Sequence, residues 1–193
     1  HTTKPLSMYA VGKLASENYL RIFEQYGISS VSLRLFNTYG PGQNMSNLRQ
    51  GMVSIYLAQA LKNKNILIKG SSDRYRDFIY IDDVTRTVDH FVKNEIIGAE
   101  IYNVCTGSKT TVSTLIDTIK KTLGNKSIPV EYAEATPGDQ FGIIGDNTKL
   151  RKELEKYDNF IKETNFVDIV TGIRKFVESL IWNLVNNSDN TPI

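Results

Sequence analysis

Cysteine and histidine are scarce in this sequence. Its 193 residues include one cysteine, Cys105, and two histidines, His1 and His90. A single cysteine excludes an internal disulfide framework and any metal site built on several thiolates, and two histidines argue against zinc catalysis. We therefore predict no metal site, and the low cysteine content fits the reducing conditions of the cytoplasm.

Long apolar runs and a strong charge imbalance are also missing. No stretch approaches the roughly 18 apolar residues that a membrane span needs, and the first residues lack the pattern of a signal peptide. The formal net charge is only +2, and hydrophobic and charged residues make up 40% and 23% of the chain. These values are typical of a soluble globular protein, and they favour neither a membrane nor a nucleic-acid partner.

The first periodic stretch predicts a helix from Tyr9 to about Phe23. Residues four apart share a helix face, so Tyr9 and Lys13 project together. A tyrosine hydroxyl has an unperturbed pKa of roughly 10, and a neighbouring ammonium group lowers that pKa by favouring the phenolate. Such a pair can act as an acid and base near neutral pH. The alternative is a packed tyrosine beside a solvated lysine. Gly12 marks either a close approach to the helix or a tolerated glycine.

A predicted strand, residues 31–36, follows the helix end at Gly27 and indicates an α/β unit. Turn-forming residues fill positions 37–43, where a ligand of an open α/β sheet would bind, although an ordinary loop needs the same glycines and proline. Further strands are predicted at 66–68, 101–104 and 129–133. Further helices are predicted at 50–61, 83–93, 148–156 and 166–184. One more helix is predicted to begin near residue 111, with Thr111 or Ser113 as its cap. Cys105, beside a strand end, is expected to be buried.

Three motifs occur in order along the chain. They are Tyr9-x-x-x-Lys13, then R-L-F-N-T-Y-G-P-G-Q at 34–43, then R-D-F-I-Y-I-D-D-V at 76–84. Together they resemble the extended short-chain dehydrogenase/reductase family, in particular its nucleotide-sugar epimerases and dehydratases. The resemblance implies an α/β fold: the end of a Rossmann-like, doubly wound parallel sheet interleaved with a small α/β substrate-binding subdomain.

The resemblance extends over residues 5–184 but covers only the C-terminal part of the family pattern. A glycine-rich G-x-x-G-x-x-G turn, an acidic residue for the adenosine ribose and the upstream Ser or Thr of the catalytic set are not found in this sequence. We therefore expect residues 1–193 to be the C-terminal portion of a longer enzyme whose cofactor-binding half is absent here. Such a portion is expected to be inactive alone.

The resemblance also implies the cofactor, NAD, and the roles of individual residues. Tyr9 would be the catalytic base, Lys13 would hold the cofactor ribose and lower the pKa of Tyr9, and Phe36 would lie beside the nicotinamide. Substrate contacts are implied for six positions: Asn37, Asn47, Leu48, Arg49, Arg76 and Asp139. A solvated Arg49 and a surface salt bridge from Arg76 to Asp77 or Asp82 remain the alternatives at those positions.

The sequence departs from the family pattern at Thr136. Many members have an arginine directly before the P-G-D or E-G-D equivalent, where it contacts the substrate diphosphate. Either Arg49 or Arg74 supplies that charge here, or the substrate is held differently. In an extended segment Arg74 and Arg76 point to one side and Tyr75 to the other. Asp82 and Asp83 are interpreted as caps and dipole partners of a helix rather than as catalytic carboxylates.

By resemblance, the first hypothesis for the parent enzyme is a UDP-glucose 4-epimerase-like activity in nucleotide-sugar metabolism, for example in cell-surface polysaccharide biosynthesis in the cytoplasm. A 4,6-dehydratase and an NADPH-dependent keto-sugar reductase are the alternatives within the family. A non-catalytic nucleotide-binding or scaffold protein is the alternative from another class, and the presence of both Tyr9 and Lys13 speaks against it. The family often dimerises through the helix that carries this pair, so a homodimer is also expected.

Overall fold

A computed structural model describes residues 3–62, 65–135, 139–157 and 166–186. The helices in these ranges are α1 Met8–Phe23, α2 Met52–Lys62, α3 Ile81–Lys93, α4 Val112–Thr122, α5 Thr148–Tyr157 and α6 Ile169–Asn186. The strands are β1 Ser30–Leu35, β2 Asn37–Tyr39, β3 Ile66–Lys69, β4 Tyr75–Arg76, β5 Phe78–Tyr80, β6 Ala99–Val104, β7 Thr110–Thr111 and β8 Val130–Ala133. The predicted alternation of strands and helices is confirmed, with boundaries shifted by a few residues.

The described strands form four pairs, of which three are parallel. β1 pairs with β6, β2 with β5 and β3 with β8 in parallel, whereas β4 and β7 are antiparallel. Parallel strands need crossover connections, which the helices supply, so the α/β class is confirmed. One prediction was wrong: residues 37–39 are not loop but strand β2, because Asn37 pairs with Phe78 of the third motif.

The ends of α1 follow from its sequence. The Ser7 side chain accepts a hydrogen bond from the Ala10 amide at 3.1 Å and caps the helix start. After Phe23, a 3₁₀ turn over Glu24–Tyr26 leads into Gly27, whose φ of 77° lies in the left-handed region. The predicted stop at Gly27 is therefore confirmed. A Cβ on Gly12 would meet nothing within 4 Å among the described residues, so this part of the protein offers no close approach there.

The start of α3 corrects the predicted role of its two carboxylates. The helix begins at Ile81 rather than Asp83, and Tyr80 occupies the N-cap position without a side-chain cap bond. Asp82 and Asp83 therefore lie in the first turn, where they complement the helix dipole but do not cap it. The buried Asp83 carboxylate instead pairs with Arg86 and accepts a hydrogen bond from the Val167 amide at 2.8 Å. Burial raises the pKa of Asp83.

Strand β5 lies between two apolar cores. Phe78 and Tyr80 belong to the larger core, which includes residues of α2, α4 and α6, and Ile79 belongs to the smaller core with β6 and α5. The alternation of side chains along a strand explains this division. Because side chains of β5 pack into both cores, the backbone just before the strand, at Arg76 and Asp77, is held in position. None of the helices in the described ranges has the length and apolar character needed to cross a bilayer.

Candidate functional site

Asp77 joins three chain segments at the centre of the site. Its side chain is fully buried, and its carboxylate accepts hydrogen bonds from the Thr106 amide at 2.9 Å, the Thr106 hydroxyl at 2.7 Å, the Gly107 amide at 2.9 Å and the Gly145 amide at 3.2 Å. Its backbone carbonyl accepts a hydrogen bond from Asn37 Nδ2 at 2.8 Å. The second and third motifs are therefore held to each other and to the loop after β6.

Two arginines meet one carboxylate beside Asp77. Arg76 Nη2 lies 2.5 Å from Asp139 Oδ1, and the Arg74 guanidinium pairs with the other oxygen of Asp139. Both arginines are buried, with 6% and 8% of their surfaces exposed. The prediction that they point to one side is thus confirmed. Tyr75 faces elsewhere: its ring lies 6.0 Å from that of Phe141.

The alternative partners predicted for Arg76 were wrong. The carboxylate of Asp77 accepts hydrogen bonds from the backbone of residues 106, 107 and 145 and does not pair with Arg76. Asp82 instead faces the last helix, where its Oδ2 lies 3.8 Å from Lys175 Nζ. Arg76 does form a salt bridge, but with Asp139, from which it is separated by more than sixty residues of chain.

A cavity of about 500 Å³ opens between strand β2 and the start of α2. Phe36, Asn37 and Gln43 of the second motif line it, together with Met52 and Ile143. Its position beyond the end of β1 is where a ligand of an α/β sheet is expected. The Gln43 Oε1 atom is buried and accepts no hydrogen bond from the described residues. The cavity therefore has an apolar wall from Phe36 and polar groups from Asn37 and Gln43.

Tyr9 and Lys13 share a face of α1, as their spacing predicts. Lys13 Nζ lies 5.5 Å from the centroid of the Tyr9 ring. Tyr9 is 75% exposed, and α1 has no buried residue. The phenol and the ammonium group are thus adjacent and accessible. In the described ranges, no hydrogen bond, ion pair or ring contact links them to the cavity.

The segment before α2 carries three of the residues predicted to contact a substrate. Asn47, Leu48 and Arg49 are all exposed, and the Asn47 side chain accepts a hydrogen bond from the Arg49 amide at 3.0 Å. The Arg49 guanidinium makes no ion pair with any described residue, which fits the solvated alternative. Of the two arginines considered for the missing charge, only Arg74 reaches the Arg76 cluster through a described contact. Thr136 lies outside the described residues.

Sequence reasoning missed two residues of the site. The tethering role of Asp77 has no local signal, because its four donors lie about 30 and 68 residues along the chain. Tyr56 of α2 interacts with the Arg74 guanidinium, and burial raises the pKa of this tyrosine. Its apolar spacing indicated only a core position. Cys105 is buried, as predicted, and burial raises the pKa of its thiol to about 12.

The side chains of the site can be compared with what a metal ion and a dinucleotide each require. Within the described parts of the chain, no group of three histidine, cysteine or acidic residues could hold a metal ion. The exposed Tyr9 and Lys13 pair offers a phenol and a cation, which suit a hydroxyl-rich ribose. The aromatic ring of Phe36 at the cavity wall suits a flat heterocycle. These residues fit the ribose and nicotinamide end of a dinucleotide.

Comparison with known proteins gives consistent matches. The family model "NAD dependent epimerase/dehydratase family" matches residues 1–105. A Methanocaldococcus jannaschii protein, provisionally named a UDP-glucose 4-epimerase, is 30% identical over 190 residues, which are 97% of this chain and 56% of that protein. The dTDP-4-dehydro-6-deoxyglucose reductase of Escherichia coli is 30% identical over 172 residues, which are 88% of this chain and 53% of the reductase.

A solved structure is similar as well. The UDP-glucose 4-epimerase of Thermotoga maritima, crystallised with UDP-glucose, superimposes with a TM-score of 0.79 at 30% identity. The match covers 94% of this chain and 55% of that one. The chain therefore spans about half the length of the curated relatives it matches. Relatives at the same level of identity include an epimerase and a reductase, so similarity alone does not separate these reactions.

Proposed function

The chain belongs to the NAD dependent epimerase/dehydratase family, and from that premise we propose that the whole protein is a nucleotide-sugar 4-epimerase. The substrate would be a nucleotide-activated hexose, as in the UDP-glucose 4-epimerases that the chain resembles. The cofactor of the family is NAD. When bound, NAD supplies the hydride chemistry at C4 of the sugar. We propose that residues 1–193 form the C-terminal portion of this enzyme and are inactive alone.

The observation that carries the proposal is the joining of the second and third motifs. Strands β2 and β5 pair in parallel, and the Asn37 side chain is hydrogen bonded to the Asp77 carbonyl at 2.8 Å. This pairing brings the cavity wall of Phe36 and Asn37 next to β5, whose first residue, Phe78, follows Arg76 by two positions. A pocket for a sugar beside a cationic group for a diphosphate is the arrangement that a nucleotide-sugar enzyme needs.

The roles of the site residues follow from their chemistry. Tyr9 would take the proton from the C4 hydroxyl and return it to the same oxygen after the keto sugar has rotated in the site. Lys13, whose Nζ lies 5.5 Å from the centroid of the Tyr9 ring, would hold the cofactor ribose. Phe36 would exclude water from the nicotinamide end.

The substrate would be held by the cavity and by the segments around it. Asn37 and Arg76 would bind the substrate phosphates, and Asp139 would belong to the same subsite through its contact with Arg76. The exposed Asn47, Leu48 and Arg49 would also contact the substrate. A phosphate of the substrate would replace the water around the Arg49 guanidinium.

A 4,6-dehydratase or a keto-sugar reductase is the second candidate, and the similarity to the Escherichia coli reductase favours keeping the latter. A non-catalytic binding or scaffold protein would retain the fold but not the adjacent phenol and ammonium of Tyr9 and Lys13. The accessible Tyr9, 75% exposed, therefore favours an enzyme.

The reaction can be tested on the complete parent protein. It would be incubated in turn with UDP-glucose, UDP-N-acetylglucosamine, dTDP-glucose, CDP-glucose and GDP-mannose, and products would be identified by NMR. We expect inversion at C4 for one of them and a loss of at least about a hundredfold in rate for Tyr9→Phe. Tyr26→Phe is the matched control, because Tyr26 is an equally exposed tyrosine in the turn after the same helix, and it should retain the activity. A 4-keto-6-deoxy product would identify a dehydratase instead.

We also propose that the whole protein is a cytoplasmic homodimer that serves cell-surface polysaccharide biosynthesis. The support for the dimer is the apolar surface of α1, where Val11, Tyr19 and Ile22 are exposed. Light scattering of the parent protein tests the dimer, and a monomeric mass at micromolar concentration would contradict it.

A further inference from the structure

The cluster of Arg74, Arg76 and Asp139 has a net positive charge. Each guanidinium bears one positive charge, and the single carboxylate between them bears one negative charge. Two carboxylates are adjacent in sequence: Asp77 is directed into the loops at Thr106 and Gly145, and Asp73 is exposed and makes no ion pair with a described residue. One net positive charge is therefore left on two arginines whose side chains are only 7% and 10% exposed. Such a charge is costly to bury without a partner, and a bound anion relieves that cost.

The two guanidiniums are fixed by groups other than Asp139. Arg74 Nε donates to the Ser71 carbonyl at 3.2 Å, and Arg76 Nη1 donates to the Tyr75 carbonyl at 2.8 Å. Tyr56 adds a contact to Arg74 from helix α2. These partners hold the arginines in place whether or not the carboxylate is present. The cluster is thus a preorganised anion site.

Asp139 is the most exposed member of the cluster. Its side chain is 29% exposed, about three to four times as much as those of the arginines it joins. A carboxylate at the solvent side of two buried cations blocks the approach of an external anion. Asp139 therefore lies on the solvent side of the cluster, and the two arginines are enclosed.

We propose that Arg74 is a second diphosphate-binding residue beside Arg76, and that the Asp139 carboxylate is an internal counter-ion which the diphosphate displaces. The identity of the ligand, a nucleoside diphosphate, rests on the function proposed above. A diphosphate has more oxygens and more negative charge than one carboxylate, so it satisfies two guanidinium forks better. Asp139 then sets the affinity by competing with the ligand rather than by contacting it.

Calorimetric titration of the 193-residue chain with inorganic pyrophosphate and with UDP tests this proposal. We expect Arg74→Gln and Arg76→Gln each to weaken pyrophosphate binding by roughly ten- to a hundredfold. Asp139→Asn should tighten the binding by about tenfold, because the competing charge is removed. Arg21→Gln is the matched control and should bind as the unmodified chain does, because Arg21 is an exposed arginine of α1 that donates to Asn18.

Three results would overturn the proposal: no binding of pyrophosphate by the unmodified chain at millimolar concentration, unchanged binding by Arg74→Gln, or weaker binding by Asp139→Asn. Circular dichroism establishes that each variant is folded. Should Asp139→Asn not fold, Asp139→Ser replaces it, and Arg74→Gln decides the matter if neither folds.

Pyrophosphate carries no sugar, so this titration is independent of the reaction. If the parent protein epimerises a nucleotide sugar but Arg74→Gln binds pyrophosphate normally, only the present inference fails. If pyrophosphate binding depends on Arg74 but the parent protein turns over no nucleotide sugar, only the proposed function fails.

Discussion

At the scale of single residues, the Asp77 carboxylate joins segments that are far apart in sequence. Its carboxylate is fully buried and receives four hydrogen bonds, three of them from backbone amides of the segments at residues 106–107 and 145. A buried charge is tolerated when hydrogen bonds replace its lost hydration. Through its hydrogen bond from the Gly145 amide, Asp77 holds the Gly145 backbone against the side chains of Phe36 and Cys105. The packing there is close, because a Cβ on Gly145 would collide with both side chains.

Asp77→Asn should destabilise the protein although it changes only one heavy atom. The new amide places a donor where the carboxylate accepted bonds from Thr106 or from the Gly107 and Gly145 amides, so at least one buried N–H group loses its acceptor. We expect the free energy of unfolding in urea to fall by about 2–4 kcal/mol.

Asp117→Asn is the control for this change. Asp117 is an exposed aspartate of α4, and its replacement should alter the free energy of unfolding by no more than about 0.5 kcal/mol. Equal values for the two variants would mean that the carboxylate of Asp77 is not needed as an acceptor.

At the scale of elements, helix α6 depends on a cap and on close packing. Asp168 precedes the helix, and its carboxylate accepts hydrogen bonds from the amides of Val170 and Thr171 at 2.9 and 3.0 Å. Gly172 then lies directly against the Tyr39 hydroxyl, where a Cβ would not fit. Burial raises the pKa of Tyr39, so its ring packs as a neutral phenol beneath the helix.

The cap of α6 gives a pH-dependent prediction. Hydrogen bonds from Thr171 lower the pKa of Asp168, so its contribution to stability is present above the ordinary aspartate pKa and is lost as the pH falls through the lowered value. Asp168→Ala should cost about 1 kcal/mol of unfolding free energy at pH 7, as for other helix caps. The gap from the unmodified protein should shrink towards pH 3.

Asp168→Asn separates the hydrogen bonds from the charge. Asparagine is also a good N-cap, so this variant should lose less stability than Asp168→Ala. The gap between the two variants should not change with pH, because neither has an ionisable side chain at position 168. Chemical denaturation at several pH values measures all three proteins. A constant gap between the unmodified protein and Asp168→Ala at pH 3 and pH 7 would rule out an ionised cap.

The elements also indicate what sequence reasoning can reach. Helices such as α1 and α4 were predictable because apolar spacing, a cap and a terminating glycine all lie within one short stretch. Strand β2 was not, because its turn-forming residues become a strand only through pairing with β5, forty residues away. The pairing of Arg74 and Arg76 with Asp139 was missed for the same reason. Contacts across such separations leave no periodic signal in the chain.

At the scale of the whole molecule, stability is unevenly distributed. The larger core draws on α2, α4 and α6, and α4 contributes four of its residues. Helix α1 contributes none, although it carries the Tyr9 and Lys13 pair. It is joined to β1 by an ion pair in which Arg34 reaches both oxygens of Glu17 at 2.7 Å. A helix of this length is marginal without tertiary packing, and Gly12 weakens it further.

Hydrogen exchange of the 193-residue chain should therefore differ between its helices. We expect the backbone amides of α1 to exchange at least about tenfold faster than those of α4, because α1 can open without disrupting either core. Exchange followed by mass spectrometry compares both helices in one sample, so α4 serves as the internal reference. Glu17→Gln, which removes the charge from the tether to Arg34, should accelerate exchange in α1 and leave α4 unchanged. Equal protection of the two helices would show that something beyond the described contacts covers α1. If dilution then removed that protection, the cover would be a second copy of the chain, and the exposed Val11, Tyr19 and Ile22 would be the surface through which it binds.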